Sequence, residues 1–388
     1  MAQDQNQKVK VVNIFPADTS GCNFFRNYLP YLTLESIDKN LVFNVNRRFV
    51  IDQQFFNNVN VNIFQRQVSN EQAVYYNQFV FPLAKAKGSW IIYNIDDCVG
   101  SESIPEYNVA YDAYNKQELM DNIQKMMDNS DFLLVTTDEL KAYYNERFKI
   151  PRENIIVIPN YLTKWWFVDS YDKERSLSLY RRNVNRPRIG LISSASHYDM
   201  NKKGIPDDST EISKYIRATK NKYKWVIFGA LIPSLEDLIQ SKEVEFYQGA
   251  PLLHYPQAIR NLQLQGIVAP LLDNTFNRCK SNIKLLESWA LGIPVFAQNL
   301  CTYNKYTKDV FSNNEELDAL IKSKLQSAGC FERCIEENWK KMQSWWLEDH
   351  LQEWHNLYAM RNKYITLNVD NFINFKKQQN TPETKEVK

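Results

Sequence analysis

The sequence predicts an α/β protein made of two doubly wound, parallel-sheet domains that face each other across a cleft. Three observations carry this. Short β-rich runs alternate with longer helix-compatible segments along most of the chain, the signature of parallel strands joined by helical crossovers. The alternation pauses once, over the charged stretch LTKWWFVDSYDKERSLSLYRRNVNRP at 162–187, and then restarts. The chain has 388 residues, more than one hydrophobic core usually supports. The expected divisions are 1–180 for an N-terminal Rossmann-like domain, 181–335 for a C-terminal domain of the same kind, and 336–388 for returning helices and a polar tail.

In chain order, VKVVNIF (9–15), LVFNV (41–45), VNVNIF (59–64), SWIIYNI (89–95), DFLLVTT (131–137) and NIIVIPN (154–160) read as strands. Several are nearly continuous in apolar content, which predicts cover on both faces. QAVYYNQFVFPLAKA (72–86) and TTDELKAYYNERF (136–148) are helix-compatible, the second with Thr137 placed to cap and acids in its first turn. Residues 162–187 lack a clear apolar period, as a linker or domain edge does. RIGLISSA (188–195), YKWVIFGA (223–230), VEFYQGA (244–250), QGIVAPL (265–271) and IPVFAQ (293–298) then supply a second set of strands. Residues 331–364 form one or two long helices in which Trp339, Trp345, Trp346 and Trp354 recur near helical spacing, as a core stripe does.

Composition excludes some classes of function. A 44% apolar fraction with 13% aromatics fills two cores, and 24% charged residues is ordinary for a globular chain. The formal net charge of +2 gives no global field for a polyanion, so any nucleic-acid contact has to come from a local patch. MAQDQNQKVK has no apolar core of a secretory signal and no later run spans a bilayer, which predicts a cytoplasmic protein. The six cysteines lack Cys-x-x-Cys spacing and read as reduced thiols. Glycine is scarce, 10 residues in 388 against roughly 7% in average usage. Gly21, Gly190, Gly229, Gly249 and Gly292 all lie beside strand-like runs, where a turn or a close ligand approach needs a residue without a side chain.

The segment FNRCKSNIKLLESWALGIPVFAQN (276–299) carries the chemistry. On a helix from about residue 280, Ile283, Leu286, Trp289 and Ala290 fall on one side, while Lys280, Lys284 and Glu287, spaced i, i+4, i+7, fall on the other. Its first turn follows the strand QGIVAPL, so free N–H groups point out at the carboxyl edge of a sheet, a geometry that binds anions. Lys280 and Lys284 add charge there, and Ser281 and Asn282 add hydrogen-bond donors, a set suited to a diphosphate. Glu287 is an acceptor suited to a ribose diol. The same charges also fit an ordinary solvated pair worth about 0.2–0.5 kcal/mol. Gly292-Ile293-Pro294 ends the helix and feeds the next strand, which clamps it against the sheet.

A glutamate-bearing helix followed by Ala-Leu-Gly-Ile-Pro-Val resembles the donor-binding signature of retaining glycosyltransferases of the GT-B fold, in particular glycosyltransferase family 4. SWIIYNIDDCVG is similar to that family's strand ending in paired aspartates, DFLLVTTDELKAYYNERFKIPRENIIVIPNYL to its strand, helix and Ile-Pro-Asn turn, and RIGLISSASHYDMNKK to the first strand and loop of its nucleotide domain. The resemblance covers roughly residues 9–310, with low identity outside these motifs. Within the family, FNRCKSNIKLLESWALGIPV together with IDDCVG most resembles glycosyltransferases of T-even-type bacteriophages and their relatives. Two departures stand out. The first of the family's two glutamates falls on Cys279, and the four histidines, His197, His254, His350 and His355, all lie beyond the linker, where many members use a histidine of the N-terminal domain.

The resemblance implies a retaining hexosyl- or pentosyltransferase with a nucleotide-sugar co-substrate, UDP-linked, and no further cofactor or metal ion. It implies a donor site of Gly21, Arg26, Ser194, His197, Gly229, Lys280, Ser281, Asn282, Lys284 and Glu287, with Arg26 reaching the phosphates. His254 and Tyr255 lie near the base. Asp96, Asp97 and Lys280 are the catalytic candidates: one aspartate orients the sugar or acts as a base, and the lysine meets the leaving diphosphate. The phage resemblance implies a 5-hydroxymethylpyrimidine of double-stranded DNA as acceptor, with Arg47, Arg48, Lys85 and Lys87 as a phosphate-binding rim. A cell-surface polysaccharide or lipid-linked glycan is the rival acceptor. A degenerate transferase that only binds nucleotide or DNA is a third reading, motivated by Cys279 and the absent N-terminal histidine. A dinucleotide oxidoreductase is disfavoured because no Gly-x-Gly-x-x-Gly follows any strand.

Overall fold

The structure is a computed structural model that describes residues 9–46, 52–66, 69–100, 102–167 and 171–360. Strands form where β-branched and aromatic residues run together. In the first half these are β1 (Lys10–Phe15), β2 (Leu41–Val45), β3 (Val59–Gln65), β4 (Trp90–Asn94), β5 (Phe132–Val135) and β6 (Ile155–Val157), in the order β2-β1-β3-β4-β5-β6. The second half gives β7 (Arg188–Ser193), β8 (Lys224–Gly229), β9 (Glu245–Gln248), β10 (Gly266–Ala269), β11 (Val295–Gln298) and β12 (Val310–Phe311), in the order β12-β11-β10-β7-β8-β9. All the strand pairs are parallel. Strand order reverses beside β1 in one sheet and beside β7 in the other. Loops leaving the carboxyl ends at such switch points diverge and open a crevice.

Alternation along the strands sends side chains to two cores. Val12, Ile14, Ile63, Ile92 and Leu134 fall in one buried cluster, while Phe15, Phe64, Tyr93 and Val135 fall in another on the opposite face. The first cluster continues through Trp166 to Val226 and Ile267 of the second sheet and to Trp354 and Leu357 near the C-terminus. Polar strand residues pair with each other: Asn13 Nδ2 donates to Asn62 Oδ1 at 3.0 Å, and Asn44 Nδ2 to Asn13 Oδ1 at 3.1 Å.

Helical segments 21–37 and 70–86 each contain a π-turn, Phe24–Tyr28 and Tyr76–Val80, that closes just ahead of Pro30 and Pro82. Proline has no N–H to give to the carbonyl four residues back, and the wider turn absorbs the mismatch. Thr137 caps Asp138–Phe148 by accepting from the Leu140 N–H, as its sequence position predicts. The stretch 162–187, expected as a linker or domain edge, holds an 11-residue helix, Lys173–Asn183, capped by Asp172 and burying Leu177, Leu179 and Tyr180. Its many exposed charges hide that apolar stripe.

After the helix Ala328–Met342 the chain returns to the first sheet. Leu162 and Leu347 mark the crossing, the Leu347 N–H donating to the Leu162 carbonyl at 2.7 Å. The helix Leu351–Tyr358 then lies on residues 29–37, with His355 Nε2 2.9 Å from Asp38 Oδ2 and the Tyr358 ring 5.1 Å from that of Phe43. Among the described residues no helix is long and apolar enough to cross a membrane.

Candidate active site

The two switch points face one another around a cavity of about 500 Å³. The first domain contributes Gly21 and Cys22 after β1, Asp96 and Asp97 after β4, Asn160 after β6, and the rings of Phe25 and Trp166. The second contributes Ser193, Ser194 and His197 at the end of β7, Gly229 at the end of β8, Ala250, Leu252 and Tyr255 after β9, and Lys280, Ser281, Ile283, Lys284 and Glu287 after β10. The fold thus brings together residues spread over most of the chain.

Segment 276–299 divides differently from expectation. A short helix, Thr275–Arg278, comes first, and the main helix runs Ile283–Ala290, so Lys280 and Ser281 sit in the turn between them. Ile283 lines the cavity, whereas Leu286, Trp289 and Ala290 are buried in the core as expected. The helix ends as the sequence predicts: Gly292 adopts φ +63°, its N–H bonds to the Trp289 carbonyl, and the Ile293 N–H reaches back to that of Ser288. Glu287, 5% exposed, accepts at Oε2 from Lys284 Nζ (2.9 Å) and from the Tyr255 hydroxyl (2.9 Å). Burial and the Glu287 charge push the Tyr255 phenol well above its ordinary pKa, so it stays neutral, donating to Glu287 and accepting from Lys284 Nζ at 3.2 Å.

Across the cleft, Arg66 forms an ion pair with Asp97, and its Nε lies 3.9 Å from Asp96 Oδ1. Lys280 Nζ approaches Asp97 Oδ1 to 3.7 Å from the other domain. Burial alone would raise the Asp97 pKa, but the charges of Lys280 and Arg66 outweigh it and hold the carboxyl below its ordinary range. Cys22, Asp96 and Asp97 place thiol and carboxylate atoms within 4.8 Å of one another. Burial and Asp96 raise the Cys22 thiol well above its usual value, keeping it protonated. This is the cluster of described residues that could hold a cation, and Arg66 and Lys280 already face its Asp97.

Gly229 has a steric reason to be glycine: its φ is +110°, and a Cβ there would lie 2.2 Å from the Ser193 carbonyl oxygen. Gly21 has no such constraint; it simply starts the helical segment 21–37 beside the cavity. Two donor-site expectations are corrected. Arg26 does not face the cavity; it is 1% exposed, with Nη1 donating to the Ile158 carbonyl (2.7 Å) and Asn160 Oδ1 (3.2 Å), and its guanidinium lies 5.2 Å from the Trp354 ring centroid. Burial pulls its pKa down to about 10. Asn282 is buried at the N-cap position of that helix, without a side-chain capping bond, and does not line the cavity.

Arg47 and Arg48 lie outside the described residues. Lys85 and Lys87 precede the start of β4, whereas Asp96 and Asp97 follow its end, so these lysines sit at the opposite edge of the sheet from the cavity. His254 does not line the cavity either, while Tyr255 does. Site residues that sequence reasoning missed are Asn160 and Trp166, which line the cavity, and Arg66, which pairs with Asp97. Arg66 and Asn160 carried a usable signal, each being a polar residue just past an apolar strand. Asn160 Nδ2 donates to Ser281 Oγ across the cleft at 3.0 Å.

Solved structures share this architecture. A glycosyltransferase from Rickettsia africae ESF-5 aligns with a TM-score of 0.55 at 12% identity, over 91% of this chain and 98% of that one. Anabaena Alr3699/HepE in complex with UDP and glucose aligns with a TM-score of 0.57 at 10% identity, over 90% and 99% of the two chains. WaaG, a glycosyltransferase involved in lipopolysaccharide biosynthesis, gives 0.55 at 11%, over 90% and 99%. The likeness is one of fold, and the fold is GT-B: two parallel six-stranded sheets with helices, facing across a cleft. No protein-family model and no curated protein matches the sequence.

Proposed function

We propose that this protein transfers a sugar from a nucleoside-diphosphate sugar of the UDP class to a hydroxyl acceptor, with retention at the anomeric carbon. One observation carries the reading: Lys280, Lys284 and Glu287 converge on a single cavity at the switch points of both sheets. The aromatic wall of Phe25, Trp166 and Tyr255 suits a planar base. Both protein bonds to Glu287 fall on Oε2, which leaves Oε1 for a ribose hydroxyl. Lys280 and Lys284 meet the diphosphate and neutralise the charge it gains as it leaves, in place of a metal ion. Retention is favoured because Asp97, paired with Arg66 and Lys280, is a weak base. An acceptor attacking on the face of the leaving phosphate does not need it.

For the acceptor, the phage-like motifs support a 5-hydroxymethylpyrimidine in DNA, a reading that Lys85 and Lys87 no longer reinforce. A glycan acceptor is the second reading, supported by the fold shared with WaaG. The test is incubation of the protein with UDP-sugars and with hydroxymethylated duplex DNA or bacterial glycans, then mass spectrometry and assignment of the new anomeric configuration. Transfer that survives EDTA and is lost in Glu287→Ala supports the proposal. UDP binding without any turnover, including hydrolysis, supports a binding protein instead.

A further inference from the structure

The loop after β7 holds His197 in a way that donor binding alone does not require. His197 Nδ1 lies 2.7 Å from Asp208 Oδ2, and the Asp208 side chain is 2% exposed. The other oxygen of that carboxylate accepts three hydrogen bonds, from Asn277 Nδ2 (2.7 Å), the Leu272 N–H (2.8 Å) and the Tyr107 hydroxyl of the first domain (3.0 Å). A carboxylate fixed so firmly presents Oδ2 as an acceptor, which selects the Nδ1–H tautomer of the imidazole and leaves the lone pair on Nε2. His197 lines the cavity with its side chain 18% exposed, so Nε2 is the ring nitrogen a ligand meets.

We propose that His197 is the proton acceptor of the transfer reaction and that Asp208 is its positioning residue. This rests on the glycosyl-transfer reading above. The acceptor oxygen forms a bond to the anomeric carbon, and the bond from that carbon to the phosphate oxygen breaks with its electron pair going to the diphosphate. The proton lost by the acceptor hydroxyl passes by way of the leaving phosphate oxygen to His197 Nε2. The imidazolium so formed is held against Asp208 and returns its proton to water when the nucleoside diphosphate leaves. Asp97 is a poor rival because two cations hold it.

The groups around the ring agree with this role. Asp208 stands behind it, Lys280 and Lys284 face it from the segment after β10, Asp97 acts on it from the first domain, and Tyr198 and Asp199 belong to its own loop. Burial lowers the His197 pKa, the Asp208 hydrogen bond opposes that, and Lys280 and Lys284 lower it further, so the ring starts the reaction neutral. An arriving diphosphate offsets the two lysines and makes the ring more basic when the proton must move.

The test uses the full chain with UDP-glucose, tracking UDP release against pH, and calorimetry with UDP. His197→Gln is expected to lower kcat on the order of 10²–10⁴-fold, to weaken UDP binding far less than that, to keep the melting temperature, and to lose the acid limb of the pH profile. Asp208→Asn is expected to lower kcat and move that limb to lower pH. A His197→Gln protein that keeps kcat and the acid limb overturns the inference, as does one whose UDP affinity falls in step with kcat. A wild-type protein that neither binds UDP nor turns over UDP-glucose overturns the transferase reading itself, an outcome distinct from the other two.

Discussion

Lys280 Nζ lies 3.7 Å from Asp97 Oδ1, and the two residues come from opposite domains. The pair closes the cleft with the same ammonium that the proposed function assigns to the donor phosphates. An entering diphosphate brings more negative charge than Asp97 and competes for that lysine. Lys280→Ala is therefore expected to weaken UDP binding by about 1.5–3 kcal/mol, the worth of a hydrogen bond to a charged group, or roughly ten- to a hundredfold in Kd. The wild-type affinity should also fall as salt rises while that of the variant changes less. Calorimetry with UDP at two ionic strengths checks both, and an unchanged Kd would remove Lys280 from the site.

Glu287 makes a different demand. If it reads the ribose, Glu287→Ala weakens UDP at least about tenfold, one lost charge-assisted bond. Inorganic diphosphate, which has no ribose, should bind no worse, because Lys284 is then released from its carboxylate partner. Parallel titrations with the two ligands decide the point. Equal losses for both would mean that Glu287 only orders Lys284.

Much of this site was legible because the signal was local. A run such as SWIIYNIDD shows both a strand and the acids just past its carboxyl end, and Gly292-Ile293-Pro294 shows where a helix must stop. Lys284 and Glu287 lie on the helix as their spacing predicts, whereas Lys280 precedes it, in the turn before Ile283. The hidden part depends on distant partners. Arg26 looked like a phosphate ligand because nothing in its neighbourhood reveals the carbonyl of Ile158 or the ring of Trp354 that it meets in the core. Asp208 lies in a polar loop, PDDS, and gains meaning only once Tyr107, Asn277 and His197 converge on it. β12 escaped because Val310–Phe311 is too short to show a period.

Arg26 ought to matter for stability more than for chemistry. Replacing it by Met leaves the Ile158 carbonyl, Asn94 and Asn160 without their buried donor and removes the contact with Trp354 that ties the returning helix to the first domain. Leaving a buried carbonyl or amide oxygen without its donor typically costs about 1–3 kcal/mol. Arg26→Met should lower the denaturation midpoint in urea accordingly, and a Trp354→Ala variant should share part of that loss rather than add to it. Fully additive effects would separate the two residues.

Acid stability isolates Asp97. Its folded pKa is depressed, since Lys280 and Arg66 outweigh its burial. A carboxyl of this kind contributes stability that is fully present above its unfolded value, about 3.9 for Asp, and that is lost as pH falls through the lower folded value. The melting temperature of Asp97→Asn should therefore lie below that of wild type by a constant gap from pH 7 down to about pH 4. Below that, the gap should narrow as wild type takes up the proton that the variant cannot bind. A gap that widens between about pH 6 and pH 4 would mean that Asp97 takes up its proton in the folded state above the ordinary carboxylate range, and the lysine and arginine would then not be holding it.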